Sequence, residues 1–149
     1  MKRHTLLLYY CSVLLVLLLS ACETATSDNG DLDGLWQMTI KENLTTGDVE
    51  DMRQYQVTWS FQGGMVQLNV PGKIPGSHVI GKFTHGEDYI RIYHLAVFSH
   101  GHGDDVITDP TMIERAGFYR LDETFKVLEL NSDVLRVETD KVRIAFRKY

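Results

Sequence analysis

The chain has 149 residues and a formal net charge of −5 at pH 7, with 44% hydrophobic and 23% charged residues. These values are ordinary for about one globular domain, and they exclude a fully disordered or collagen-like chain. The acidic balance lacks the clustered Lys and Arg residues that bind phosphates, so we expect no nucleic-acid partner.

The first 21 residues have the features of an export signal. Lys2 and Arg3 precede an apolar run, 6–19, that is shorter than the ~20 residues a helix needs to span a bilayer. We therefore predict a cleaved signal peptide over 1–21 rather than a transmembrane anchor. Its removal takes away two cations and no acidic residue, which leaves the exported chain more acidic.

The end of this segment, Leu19-Ser20-Ala21-Cys22, resembles the lipobox of bacterial lipoproteins. The resemblance implies that Cys22 becomes the amino terminus and carries acyl chains such as palmitate. More than one chain is needed for stable anchoring, because each buried CH₂ contributes only ~0.8 kcal/mol. Cys11 lies within the signal, so we expect no disulfide in the exported chain.

Residues 22–33 form the expected link between the lipid and the domain. After Cys22, the residues are small, polar and acidic, which predicts a flexible tether. Glu23 does not resemble the Asp that retains lipoproteins in the inner membrane of enteric bacteria. The resemblance therefore favours the outer membrane, with the domain facing the periplasm or the cell surface.

From Gly34 onward, apolar and polar residues alternate with a period of two, which is typical of strands with one buried face. The clearest run is 55–62, in which every odd-numbered residue is aromatic or branched. In 88–94 we expect Ile90 and Ile92 to face inward, and only 110–116 has some helical character. The predicted strands, in chain order, are 35–42, 55–62, 66–70, 78–84, 88–94, 117–121, 125–130, 134–138 and 141–147.

These segments predict one all-β domain over 34–149. Short turns join consecutive strands, and an up-and-down antiparallel barrel of about eight strands hides the strand edges most completely. A two-sheet β-sandwich is the alternative, since a period of two fits both architectures.

The start of the first strand, Gly34-Leu35-Trp36, resembles the Gly-x-Trp signature of lipocalins. The resemblance implies that Gly34 turns the chain into the barrel floor and that Trp36 plugs this floor. It also implies that an Arg of the last strand, Arg147 or Arg143, packs across the indole ring. The C-terminal region from 125 onward is similar to small lipocalin-like (calycin-type) lipoproteins of Gram-negative gut bacteria. The domain is shorter than a typical lipocalin and has no C-terminal helix, which argues against a large cavity.

We expect a non-enzymatic protein without a cofactor that binds a small, largely apolar molecule in the barrel lumen. No serine lies in a nucleophile motif, and no glycine-rich phosphate loop follows a strand. An eight-stranded interior either is filled by side chains or holds one small ligand. The candidate lumen residues are Met38, Tyr55, Trp59, Phe61, Leu68 and Phe146.

The long polar loop 95–115 leaves two further alternatives open. Long loops are often functional, so this one could contact an envelope protein partner if the chain is an interaction or scaffold subunit. Alternatively, His100, His102 and Asp104 could capture a divalent metal ion, with His94 or His85 as a further ligand. Their spacing matches no established zinc signature.

Overall fold

The computed structural model of the protein describes residues 28–72, 78–98 and 105–149. Single-turn 3₁₀ helices lie at Gly30–Leu32, Arg53–Tyr55, Pro110–Met112 and Glu114–Ala116, and these described residues include no α-helix. The strands are β1 (Gly34–Asn43), β2 (Val49–Asp51), β3 (Thr58–Gln62), β4 (Met65–Asn69), β5 (His78–His85), β6 (Tyr89–Phe98), β7 (Asp105–Val106), β8 (Glu123–Leu130), β9 (Val134–Glu138) and β10 (Val142–Lys148). The expected signal peptide, Cys22 and residues 23–27 of the tether lie outside the described residues.

Eight of these strands form a closed antiparallel barrel. Neighbouring strands follow the order β1-β3-β4-β5-β6-β8-β9-β10, and β10 pairs with β1 to close it. In this closing pair, Trp36 lies opposite Lys148 and Met38 lies opposite Phe146. The prediction of an antiparallel barrel is confirmed, and the sandwich alternative is wrong because one continuous sheet returns to its first strand.

Two short strands lie outside the closed path. β2 pairs with the second half of β1, and β7 pairs with the end of β6. A bulge between Met38 and Ile40 divides β1, so that residues 34–37 pair with β3 and residues 40–42 pair with β2. Bulges bend and twist a strand locally, which lets β1 exchange one neighbour for the other.

Three of the predictions along the chain are wrong in part or in whole. β6 continues to Phe98 and β7 covers Asp105–Val106, so part of the predicted loop 95–115 is strand. Tyr55 belongs to a 3₁₀ turn, and Gln56 has φ +52°, so the strand predicted at 55–62 begins only at Thr58. Residues 117–121 form no strand, because Gly117 (φ +94°) ends a 3₁₀ turn and bends follow it. By contrast, the inward orientation of Ile90 and Ile92 is confirmed, as both side chains are buried.

Among the described residues, no helix has the length and apolarity needed to span a bilayer.

The core occupies the barrel interior, as alternation along the strands requires. The largest fully buried side chains are Trp36, Trp59, Phe61, Phe118, Phe125, Phe146, Leu32, Met38, Met52, Leu68, Ile90 and Ile92.

Candidate functional site in the barrel interior

Trp36 closes the end of the barrel at which the chain enters. Its side chain is fully buried, and its indole Nε1 donates a hydrogen bond of 2.8 Å to the carbonyl oxygen of Leu32. Leu32 is itself buried, so the folded part of the chain begins before Gly34, the boundary that the sequence predicts. The last residues of the expected tether therefore belong to the domain.

Gly34 allows the chain to enter the barrel close to the last strand. Its φ is +115°, a conformation that L side chains rarely adopt. A Cβ at this position would lie 3.0 Å from Cε of Lys148, so the space beside it is already filled. Both observations account for a glycine at the first position of the Gly-x-Trp sequence.

The cation over the Trp36 ring is Lys148 rather than Arg147 or Arg143. The Nζ of Lys148 lies 4.9 Å from the ring centroid and donates a 2.8 Å hydrogen bond to the carbonyl oxygen of Asp31. The alternation of β10 explains this difference, because even-numbered residues such as Phe146 point inward and both arginines point outward.

Both arginines contact polar groups on the outside of the barrel. The Nε of Arg147 donates a 2.8 Å hydrogen bond to Oε1 of Gln37. Arg143 forms ion pairs with Glu42 and Glu138, at 2.9 and 3.1 Å. Neither guanidinium therefore takes the place over the indole ring that the resemblance implied.

The interior brings together five of the six candidate lumen residues. Each of these five side chains is at most 2% exposed: Met38, Trp59, Phe61, Leu68 and Phe146. Tyr55 differs, because it lies at the end of the barrel opposite Trp36 and is only partly buried. The Arg115 guanidinium lies 4.9 Å from its ring centroid, so Tyr55 belongs to the rim at this far end.

Trp59 lies at the centre of a cluster of aromatic rings. Its ring centroid is 4.7 Å from that of Phe146, 5.0 Å from Phe125 and 5.3 Å from Phe118. Phe61 is 6.2 Å away in an edge-to-face arrangement. Sequence reasoning did not select Phe118 and Phe125 as lumen residues, although Phe125 begins a predicted strand.

The indole Nε1 of Trp59 is a buried donor without a hydrogen-bond partner among the described residues. Leaving a donor unsatisfied in an apolar interior costs ~1–3 kcal/mol relative to a satisfied one. The other tryptophan, Trp36, has a carbonyl acceptor, so of the two indoles only that of Trp59 lacks a partner in the described parts of the chain.

Residues 107–118, which we call the cover segment, cross the far end of the barrel. The backbone N–H of Ile107 donates to the carbonyl of Leu95 in β6, at 3.0 Å. The buried side chains of Ile113 and Phe118 point into the core from this segment. A Cβ added to Gly117 would lie 2.2 Å from Cδ1 of Ile144, which shows how closely the segment approaches β10.

Polar contacts hold the two residues that follow the cover segment to the barrel wall. The buried carboxylate of Glu123 accepts hydrogen bonds from the backbone N–H of Tyr119, at 3.3 Å, and from Nη1 of Arg120, at 2.9 Å. Arg120 also pairs with Asp140 in the β9–β10 turn, at 2.8 Å. The hydrogen bonds that Arg120 donates to Asp140 lower the pKa of the Asp140 carboxyl. Burial raises the pKa of the Tyr119 hydroxyl.

No group of three His, Cys, Asp or Glu residues that could hold a metal ion occurs in the described parts of the chain. The candidate ligands His100, His102 and Asp104 lie outside those parts, so that expectation stays a prediction.

Comparisons with known proteins agree with this architecture. A family model described as a lipocalin-like domain matches residues 17–149. The chain resembles the crystal structure of a lipocalin-like protein from Bacteroides uniformis, with 24% identity, a TM-score of 0.60, and coverage of 80% of this chain and 100% of that one. No curated protein matches the chain.

Two further solved structures share the fold at lower identity. An uncharacterized protein from Bacteroides eggerthii has 22% identity and a TM-score of 0.54, over 79% of this chain and 99% of that one. A protein from Burkholderia xenovorans has 12% identity and a TM-score of 0.51, over 78% and 82% of the two chains. At these identities the similarity establishes the fold alone.

Proposed function

Since the chain belongs to the lipocalin-like domain family, we propose that it is a non-enzymatic binding protein that holds a small, largely apolar molecule in its barrel. A lipocalin-like barrel fits a ligand-binding role. The observation that carries the proposal is the Nε1 of Trp59, which lies within a cluster of aromatic rings and has no hydrogen-bond partner in the part of the chain that the structure describes.

The chemistry around Trp59 indicates the class of ligand. Phenylalanine rings around the indole favour an apolar or aromatic molecule, whose burial contributes ~25 cal/mol per Å². An indole N–H donates only, so the ligand needs an acceptor such as a carbonyl or ether oxygen. A small molecule with one acceptor oxygen on an apolar body meets both requirements.

The ligand takes the place of a side chain, because rings already occupy the space around Trp59. Phe118 is the side chain best placed to move. It belongs to the cover segment, whereas Phe125 and Phe146 belong to barrel strands. Displacement of Phe118 would open the far end of the barrel and leave the sheet intact.

Native mass spectrometry of residues 28–149 tests whether the barrel carries a small molecule. This segment contains every barrel strand and the described core, and its folding is checked by a thermal melt. We expect an added mass that organic solvent releases from the protein.

Two probes of similar shape then test the role of Trp59. Phe118→Ala removes a buried ring, costs ~3–5 kcal/mol, and leaves a cavity beside the indole. Acetophenone, which has an acceptor oxygen, should raise the melting temperature of this variant more than ethylbenzene does. Phe83→Ala is the control, since Phe83 is buried and contacts Phe61 rather than Trp59.

Two results would contradict ligand binding in the barrel. One is wild-type protein that carries no releasable molecule, together with a Phe118→Ala variant that neither probe stabilises. The other is equal stabilisation of the Phe118→Ala and Phe83→Ala variants, because the response would then not depend on Trp59.

The proposal includes an anchor in the outer membrane through Cys22. Its support is the Leu19-Ser20-Ala21-Cys22 sequence at the end of an apolar run. The full chain, expressed with an alkyne analogue of palmitate, should incorporate the label and fractionate with outer membranes. Cys22→Ser should abolish labelling, and Cys11→Ser should leave it unchanged; labelling that survives Cys22→Ser would disprove the anchor.

A further inference from the structure

A groove of about 410 Å³ lies on the wall of the barrel, away from the interior cluster. It is lined by residues from the start of β6, the first half of β8 and the β9–β10 turn. Ligand pockets in proteins have volumes of ~300–1,000 Å³, so this groove has room for a ligand of one or two rings.

Three side chains form a row across the groove. Tyr89 of β6 lies opposite Lys126 of β8, and Lys126 lies opposite Glu138 of β9. Directly opposite side chains on neighbouring strands have Cβ atoms ~4.5–5.5 Å apart, so one small molecule can contact all three.

The Tyr89 ring is an aromatic surface held in place by the β5–β6 turn. The side chain is 40% exposed, and a Cβ added to Gly86 would lie 2.6 Å from its Cε1 atom. The absence of a side chain at Gly86 therefore lets the ring lie against the turn. A ring held in this way loses little conformational entropy when a ligand packs on it.

The polar groups around this ring include both donors and acceptors. Neither the ammonium of Lys126 nor the carboxylate of Asp88 has a hydrogen-bond or ion-pair partner among the described residues. The carboxylates of Glu138 and Asp140 are held by arginines, at 3.1 and 2.8 Å respectively. Thr124 adds a hydroxyl group, which can both donate and accept.

This combination favours one chemical class of ligand. Three carboxylates in the lining disfavour an anion, and the charged lining disfavours a purely apolar molecule. Hydroxyl groups can donate to the carboxylates and accept from Lys126, while the C–H face of a sugar ring can pack on Tyr89. We propose that the groove binds a neutral carbohydrate of one or two pyranose rings.

Saturation-transfer difference NMR on the full chain in lipid nanodiscs tests this proposal. The probes are methyl glucoside, N-acetylglucosamine and maltose, with empty nanodiscs as the blank. We expect at least one sugar to give a signal from its ring protons. Tyr89→Ala should weaken its binding roughly tenfold, which corresponds to the loss of an aromatic contact.

Matched variants separate a groove site from a general effect. Tyr89→Phe retains the ring and should retain binding, and Tyr149→Ala removes another exposed tyrosine and should also retain it. Phe118→Ala should leave the sugar signal unchanged, because the interior site is independent of the groove. The proposal is overturned if no sugar exceeds the blank, if both tyrosine-to-alanine variants weaken the signal equally, or if acetate or glycine displaces the sugar.

Discussion

Replacing Gly117 with alanine tests how closely the cover segment fits the barrel. Gly117 has φ +94°, where an L residue is strained by ~1–2 kcal/mol. The new Cβ would lie 2.2 Å from Cδ1 of Ile144, which is fully buried, and such overpacking costs ~1–3 kcal/mol. We therefore expect Gly117→Ala to lower the free energy of unfolding by about 2–5 kcal/mol, a large share of a typical total of ~5–15 kcal/mol.

Two further variants divide this cost into its backbone and packing parts. Gly47 has φ +79° with no atom within 4 Å of an added Cβ, so Gly47→Ala should show only the backbone strain. Ile144→Val removes the clashing Cδ1 atom at a cost of ~0.5–1.5 kcal/mol. The double variant Gly117→Ala/Ile144→Val should therefore be more stable than the sum of the two single effects predicts.

Urea denaturation of residues 28–149, followed by tryptophan fluorescence, measures each free energy of unfolding. Equal losses for Gly117→Ala and Gly47→Ala would refute the close fit between the cover segment and β10. Strict additivity of Gly117→Ala and Ile144→Val would refute it as well, because residues in contact should show a coupling energy.

Three other predictions concern the ends of the barrel. Leu32→Ala should lower the free energy of unfolding by ~2–5 kcal/mol in urea denaturation, since Leu32 is a buried core residue. A loss no larger than that of Leu35→Ala, at an exposed leucine, would place Leu32 outside the folded domain. Lys148→Met removes a hydrogen bond and a cation–π contact to Trp36, so we expect a loss of ~1–2 kcal/mol and altered Trp36 emission in a Trp59→Phe background. Because Arg120 lowers the pKa of Asp140, their pair stabilises the fold above the ordinary carboxyl pKa of ~3.9 and loses its effect as the pH falls through the lowered value. Asp140→Asn should therefore reduce the acid dependence of the melting temperature, and an unchanged pH profile would contradict this pairing.

The barrel could be predicted because its strands alternate at a period of two along most of their length. β4, β9 and β10 begin and end within about a residue of the prediction. The prediction failed where the backbone turns although apolar and polar residues still alternate in the sequence, as at Gln56, whose φ is +52°. β2 and β7 have only three and two residues, too few for any period to be detected.

The interior was predicted less completely than the strands. Trp59, Phe61 and Phe146 follow strand alternation, so their inward orientation is a local property of the sequence. Phe118 faces inward because the cover segment folds back over the barrel end, and no local pattern encodes that path. The identity of the cation beside Trp36 follows from the alternation of β10, which places Lys148 on the inner side and Arg147 on the outer side.

The two ends of the barrel are closed in different ways, and this difference indicates where the proposed ligand would enter. At one end, Trp36 is fully buried and its indole N–H is bonded to the chain that enters the barrel. At the other end, the ion pair of Arg120 with Asp140, just after the cover segment, is about half exposed, and exposed pairs contribute little to stability. The 3₁₀ turns of the cover segment also lie outside the sheet, and such segments open more readily than core strands. A molecule that reaches Trp59 should therefore pass Phe118, and substitutions at Trp36 should change stability without changing the rate of ligand entry.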